Sequence, residues 1–261
     1  MNNSQLNNPR DIRSKTYFIS DMHLGARYIN DARAHEKLVT DFLESIRGDA
    51  KRLMMLGDVL DYWYEYDSVV PRGHVRFFGK LAELADDGVE ILWMTGNHDV
   101  WLRDYLRDEI GITVVTGKQF VTLDGHRFLL SHGDDIGRQP WNYRFMKWCF
   151  LNPVCQALYS ALHPNISHWV ATHWSSHNRT SRSVAREQSV ARTQLNEQDT
   201  AMRQIARDHP DLEYVVMGHL HVAGMSHPTA SLTVARLGAW LNGTGAYAVW
   251  DGETLRLVTG T

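Results

Sequence analysis

Five short clusters of Asp, His and Asn, each directly behind an apolar run, constrain this chain more than any other feature. They are Asp21-Met22-His23, Gly57-Asp58, Gly96-Asn97-His98-Asp99, His132-Gly133-Asp134 and Gly218-His219-Leu220-His221. The runs ahead of them, Tyr17–Ser20, Leu53–Leu56, Ile91–Thr95, Arg127–Ser131 and Tyr214–Met217, read as strands. In open α/β sheets functional groups gather at the carboxyl ends of strands, so five such clusters converge on one crevice. Taken singly, an Asp-x-His or a Gly-Asp is more often a turn or a helix cap than a ligand. Five in order, each at a strand end, are not explained that way.

The first half alternates these strands with helical patterns at Ala32–Ile46, His74–Asp86 and Trp101–Glu109, with Gly88 and Gly111 as stops. That rhythm predicts parallel strands covered by helices. Strands then follow at Val114–Val115 and Phe120–Leu123, with a hairpin turn at Asp124-Gly125 before Arg127. Later strands are expected at Leu232–Arg236, Ala246–Trp250 and Leu255–Val258, the last two joined at Asp251-Gly252. The expected organisation is a flexible polar tail over 1–14, an α/β core over 15–136 and 193–261, and a helical lid insertion over 137–192.

With 261 residues, 43% of them hydrophobic, the chain can bury one full core. Its net charge of −3 announces neither nucleic acid nor an anionic membrane. Two cysteines, Cys149 and Cys155, cannot build a disulfide framework and favour a reducing compartment. No run nears the roughly 20 apolar residues of a spanning helix, and Met1–Ser14 lacks the apolar centre of a secretory signal. A cytoplasmic location is expected.

The residue types in the clusters suit a pair of divalent cations about 3.5–4 Å apart, which needs a bridging carboxylate with oxygen and imidazole ligands on each side. Asp58 fits the bridge. Asp21, His23 and one histidine of the last cluster complete one site; Asn97, His132 and the other histidine complete the second. A cation pair lowers the pKa of water enough to give a nucleophile near neutral pH, so no side-chain nucleophile is required. His98, beside Asn97, is placed to stabilise the transition state or to protonate the leaving oxygen. Asp99 is placed to orient His98 through its second ring nitrogen, or to cap a helix ahead of Trp101.

The five clusters resemble the signature of the calcineurin-like metallophosphoesterases: Asp-x-His, Gly-Asp, Gly-Asn-His-Asp/Glu, His and Gly-His-x-His. The resemblance implies two packed mixed β-sheets flanked by helices. It also implies Asp21, His23, Asp58 and His221 on one metal, and Asp58, Asn97, His132 and His219 on the other.

The insertion bears on substrate. Between Arg138 and Arg192 stand seven basic residues, Arg138, Arg144, Lys147, Arg179, Arg182, Arg186 and Arg192, against one acid, Glu187. The segment also holds four of the nine tryptophans, Trp141, Trp148, Trp169 and Trp174. Basic charge with aromatic bulk suits a ligand anionic at one end and apolar at the other, or a membrane interface. It would also serve single-stranded nucleic acid, or a helical cap with a solvated basic face.

The chain further resembles the UDP-2,3-diacylglucosamine pyrophosphatases. The shared features are Tyr17-Phe18-Ile19-Ser20-Asp21-Met22-His23-Leu24-Gly25, the aromatic run from Gly57-Asp58 to Tyr66, His132-Gly133-Asp134, the insertion, and Leu237-Gly238-x-Trp240. This resemblance implies hydrolysis at the α-phosphorus of UDP-2,3-diacylglucosamine, giving UMP and 2,3-diacylglucosamine 1-phosphate. It implies Mn²⁺ as the metal, a lid sheltering acyl chains, and a nucleotide-linked glycolipid met at the cytoplasmic membrane surface by a peripheral protein. Arg144, Lys147, Arg179 and Arg182 are the candidates for phosphate or uridine contacts, with surface solvation the competing role.

Two positions depart from that pattern. His98 stands where the best-known members carry Arg, and Ala239 where the family places Asp. A histidine suits poorer alkoxide leaving groups, which keeps open a related metallophosphodiesterase or nuclease with another nucleotide or diester substrate, though nucleic acid is the less favoured partner. A non-catalytic scaffold would have lost ligands, and none is missing.

Overall fold

Short apolar strands cannot satisfy their own backbone groups and must pair. The computed structural model describes residues 13–137, 139–170, 184–241 and 243–260, with the backbone alone for 184–192. In it β1 (Lys15–Ile19), β2 (Ala50–Leu56), β3 (Glu90–Met94) and β4 (Thr113–Val115) run parallel to one another. Helices α1 (Ala32–Ile46), α2 (Val75–Asp86) and α3 (Tyr105–Ile110) make the crossovers. A second sheet starts with the hairpin β5 (Gln119–Leu123) and β6 (His126–Ser131). Its turn places Asp124 and Gly125 at φ 50° and 92°, the left-handed pair such a turn needs.

After β6 come α4 (Trp141–Leu151), α5 (Pro153–Ser160), a helical stretch over 164–170 (α6) and α7 (Val184–Asp208). The chain then adds β7 (Tyr214–Met217), β8 (Gly224–Ser226) and β9 (Thr233–Arg236) to the second sheet, whose order is β5-β6-β7-β9-β8. It returns through β10 (Ala246–Trp250) and β11 (Leu255–Thr259) to the first, of order β11-β10-β1-β2-β3-β4.

The strands are apolar on both sides because both sides are covered. Tyr17, Ile19, Leu53 and Met55 face Val39, Phe42, Leu43, Phe77 and Leu81 of α1 and α2. Phe18, Met54 and Leu56 point the other way, onto Phe128, Leu130, Val216 and Ala235 of the second sheet. Met202 of α7 closes the outer face of that sheet with Leu129, Val215 and Met217. The result is helix, sheet, sheet, helix, two mixed sheets face to face. Among the described residues no helix is long and apolar enough to cross a membrane.

One local expectation is corrected, and one strand is added. The helix expected from Trp101 starts four residues later, at Tyr105. Trp101 instead makes a bridge to Tyr64 and gives its indole N–H to Phe150 O at 2.8 Å. The strand β8 has no sequence signal, being three residues that open on a glycine. Asp251-Gly252 opens the turn of the β10–β11 hairpin, as expected, and Asp251 Oδ1 accepts there from Glu253 N and Thr254 N at 3.1 and 2.9 Å.

The late start of α3 has a buried cause. Glu65, 2% exposed, accepts from the backbone N–H of Arg103, Asp104 and Tyr105 at 2.8, 3.0 and 3.2 Å. Its other oxygen takes the Trp63 indole N–H at 2.9 Å. One carboxylate thus satisfies the first donors of a helix and ties the loop after β2 to the loop after β3. Glu65→Ala strands all four donors, so urea denaturation is expected to give a stability loss of about 2–4 kcal/mol. Glu65→Gln, which keeps one acceptor oxygen, is expected to lose less; equal stability of Glu65→Ala and the parent chain would show that the clasp is idle.

Candidate metal centre

The clusters follow the ends of β1, β2, β3, β6 and β7, and the facing of the two sheets brings those ends together. Sharp backbone turns aim the side chains inward. Asp21, His23, Asp58, His219 and His221 all have positive φ, from 46° to 74°, in the region that L residues adopt only at a cost. Five left-handed non-glycine residues at one place mark a site over-determined by its surroundings. Two glycines permit the close approach: a Cβ on Gly96 would collide with Asp58 Oδ1, and one on Gly218 with Asp21 Oδ2 and Ser20 Oγ.

Asp21 and Asp58 are 0% and 2% exposed. Asp21 Oδ2 accepts from Ser20 Oγ at 2.7 Å and from His219 N at 2.9 Å. Its Oδ1 is buried without a hydrogen bond, with His221 Nε2 3.3 Å and His23 Nε2 3.9 Å away. His23 Nε2 and His221 Nε2 themselves stand 3.0 Å apart, two ring nitrogens aimed at one point. Asp58 Oδ1 takes the His98 backbone N–H at 2.9 Å. Asp58 Oδ2 lies 3.4 Å from His132 Nε2, 3.8 Å from His23 Nε2 and 4.0 Å from His98 Nε2.

On the second-sheet side, His132 donates Nδ1–H to Leu56 O at 2.9 Å, which leaves Nε2 toward Asn97 Oδ1 at 3.3 Å. The His219 ring stacks edge-on against His132 with centroids 5.1 Å apart. Three ligand sets emerge within 4.8 Å: Asp21, His23 and His221; Asp21, Asp58 and His132; and His23, Asp61 and His98. Imidazoles and a second carboxylate gathered about a buried carboxylate oxygen without a hydrogen bond fit divalent cations. All seven residues expected as ligands are therefore gathered in one place.

Charge explains the protonation. Burial alone would raise the Asp58 pKa, but His132, His98 and His23 beside it hold it well below the usual carboxylate range. Asp21 is likewise brought down to about 2, with burial opposing and His221 prevailing. Burial pushes His23 and His219 down to about 4, so both are neutral and able to coordinate at pH 7.

Sequence reasoning missed Asp61. Its carbonyl accepts from His98 Nδ1 at 3.1 Å, its Oδ1 lies 3.3 Å from the same nitrogen, and Oδ1 is also 3.6 Å from His23 Nδ1. The one available signal was a second carboxylate three residues beyond Asp58. Against burial, Asp58 and Asp61 raise the His98 pKa to about 9. The role expected of Asp99 is thereby overturned. Asp99 neither touches His98 nor caps a helix: its oxygens accept from Gly96 N, Asp58 N, Val59 N and Trp93 Nε1 at 2.7 to 3.3 Å. Fully buried, it staples the turn after β2 to the turn after β3.

Of the candidate substrate contacts, Lys147 donates to Asp134 Oδ2 at 2.6 Å, where the Tyr143 hydroxyl also donates at 2.9 Å. Arg144 is exposed on α4. Arg179 and Arg182 lie outside the described residues, as do Arg138, Trp174 and the side chains of Arg186, Glu187 and Arg192.

The calcineurin-like phosphoesterase family profile matches residues 14–223. A Porphyromonas gingivalis protein named UDP-2,3-diacylglucosamine hydrolase is 38% identical over 256 residues, spanning 94% of this chain and 97% of its own. A Photorhabdus laumondii protein of the same name is 29% identical over 246 residues, spanning 90% and 95%. Among solved structures, the Escherichia coli phosphoesterase Yfce superposes with a TM-score of 0.45 at 16% identity, over 95% of this chain and 100% of that one. By a profile match that takes in all five clusters, and by a relative alike from end to end, this chain belongs to the calcineurin-like phosphoesterases, hydrolases of phosphate bonds that use paired divalent metal ions.

Proposed function

We propose that this protein hydrolyses the pyrophosphate of UDP-2,3-diacylglucosamine to UMP and 2,3-diacylglucosamine 1-phosphate. The observation that carries the reading is the pairing of a buried carboxylate–imidazole centre with an exposed aromatic and aliphatic helical surface beside it. Relatives named for that hydrolysis match nearly the whole chain. Asp21, His23, Asp58 and His221 would hold one cation, and Asp58, Asn97, His132 and His219 the other, with Mn²⁺ the proposed metal. When bound, such a pair supplies positive charge for the phosphate oxygens and lowers the pKa of water.

The chain's own groups do the rest. His98 gives Nδ1–H to Asp61 O, so Nε2 faces the centre, 4.0 Å from Asp58 Oδ2. A protonated His98 held this way can stabilise charge on phosphorus or donate to the leaving oxygen. Asp61 positions it, and Asp99 keeps the two turns in register.

Residues 137–192 are proposed as the lid. Across α5 and α6 the exposed apolar side chains include Val154 at 67%, Leu158 at 68%, Ile166 at 53% and Trp169 at 57%. Apolar side chains so exposed on neighbouring helices suit a binding face. Acyl chains, and the cytoplasmic membrane surface that carries them, match it, which makes this a peripheral enzyme.

Three experiments test the reading. Mn²⁺-loaded enzyme in ¹⁸O-water is expected to release UMP carrying the label, by mass spectrometry. Label in the acylated sugar phosphate instead would reverse the point of attack, and no turnover of this substrate beside rapid cleavage of simple diesters would replace the substrate class.

Asp58→Ala is expected to abolish turnover, and also to cancel the rise in Tm that Mn²⁺ gives the parent chain, since a ligand stabilises only the state that binds it. Removing the metal with EDTA should lower the parent's Tm and leave Asp58→Ala unmoved. Normal hydrolysis by Asp58→Ala would end the two-cation account.

His98→Gln is expected to lower kcat about 10²-fold on a diester with an alkyl leaving group and by less on one with a p-nitrophenyl leaving group, which needs no proton. Equal losses on both would remove His98 from proton donation and leave it charge stabilisation alone.

A further inference from the structure

Beside the centre, α4 and the loop ahead of it enclose a groove of about 950 Å³. Its lining includes Asp134, Gln139, Trp141, Tyr143, Arg144 and Trp148. The volume is within the roughly 300–1,000 Å³ of small-molecule sites. Its link to the metal centre is Asp134, which stands two residues beyond His132 and accepts from Tyr143 and Lys147 of α4.

The groove differs from the rest of the insertion in chemistry. Two indoles, a phenol, a guanidinium, an amide, the ammonium of Lys147 and the carboxylates of Asp134 and Asp135 line it, with no Leu, Ile, Val or Met; Asp134 is paired with Lys147, and Asp135 with Lys118 at 3.5 Å. The exposed aliphatic side chains Leu151, Val154, Leu158, Leu162, Ile166 and Val170 all lie further along the insertion. Trp148 is backed by Phe145, the rings stacked with centroids 5.9 Å apart, so a planar ligand meets a supported face. Lys147 is neutralised by Asp134, whereas among the described residues no carboxylate pairs with Arg144.

Flat aromatic faces with one uncompensated guanidinium suit a planar, anionic, polar ligand and suit acyl chains poorly. We infer that this groove binds the nucleoside monophosphate half of the substrate, its base stacked on Trp141 or Trp148 and Arg144 neutralising its charge. The inference rests on the proposed reaction and gives the substrate a direction. The nucleotide lies along α4 and the acylated sugar toward α5 and α6, with the scissile anhydride between them at the centre.

The test is calorimetric titration of the Mn²⁺-loaded protein with UMP and with inorganic phosphate. Trp141, Arg144 and Trp148 are exposed, so Trp141→Ala, Arg144→Gln and Trp148→Ala leave the core intact. The Kd for UMP is expected to rise about tenfold or more in Arg144→Gln and in at least one tryptophan variant, as for one lost stacked base. In both tryptophan variants the Kd for inorganic phosphate is expected to stay within twofold. UMP affinity unchanged in all three, with UDP-2,3-diacylglucosamine still hydrolysed, overturns the groove and leaves the reaction standing. Weakened UMP binding in an enzyme whose parent ignores that glycolipid supports the groove and sinks the reaction instead.

Discussion

Two carboxylates buried among imidazoles are the constraint around which this molecule is organised. Asp21 and Asp58 have almost no access to water, and burying such charges is costly unless positive or hydrogen-bonding groups surround them. His23, His132, His221, Ser20 and the His219 and His98 amides meet that demand. Meeting it forces five side chains into left-handed backbone, which persists only because rigid strands end directly beneath them. Asp99 makes that rigidity specific: one buried carboxylate gathers amides from both the β2 and β3 turns and the indole of Trp93.

The insertion is tied to the same turns it overlooks. At one end Tyr143 and Lys147 hold Asp134, just past His132. At the other, Tyr62 meets Tyr159 at 3.2 Å and Tyr64 donates to Gln156 O at 3.0 Å, just past Asp58 and Asp61. Between them Trp101 reaches Phe150. Each anchor leaves a residue within a few positions of the centre, so the insertion and the carboxylate–imidazole cluster share one framework.

Much of this was legible in the residues themselves. Alternation of short apolar runs with helical periodicity gave the parallel half of the first sheet, because strand and helix periods are local properties of side-chain placement. The Asp124-Gly125 turn was legible for the same reason. The ligand types were legible because a centre of this kind draws on few residues, and glycines beside them mark close approach. What stayed hidden was whatever depended on a distant partner. Trp101 reads as helix until Tyr64 and Phe150 claim it, and Gly224–Ser226 becomes a strand only because β9 offers an edge.

Sequence by itself therefore determined which residues meet and at which strand ends, since motif and periodicity are written within a few positions of one another. Only the tertiary structure decided what each carboxylate does. Asp61 rather than Asp99 turns the His98 ring, Asp99 joins two turns, Glu65 starts a helix, and Asp134 takes the charge of Lys147. A carboxylate accepts whichever donors folding brings to it, and for Asp99 and Glu65 these include amides 40 and 38 residues away.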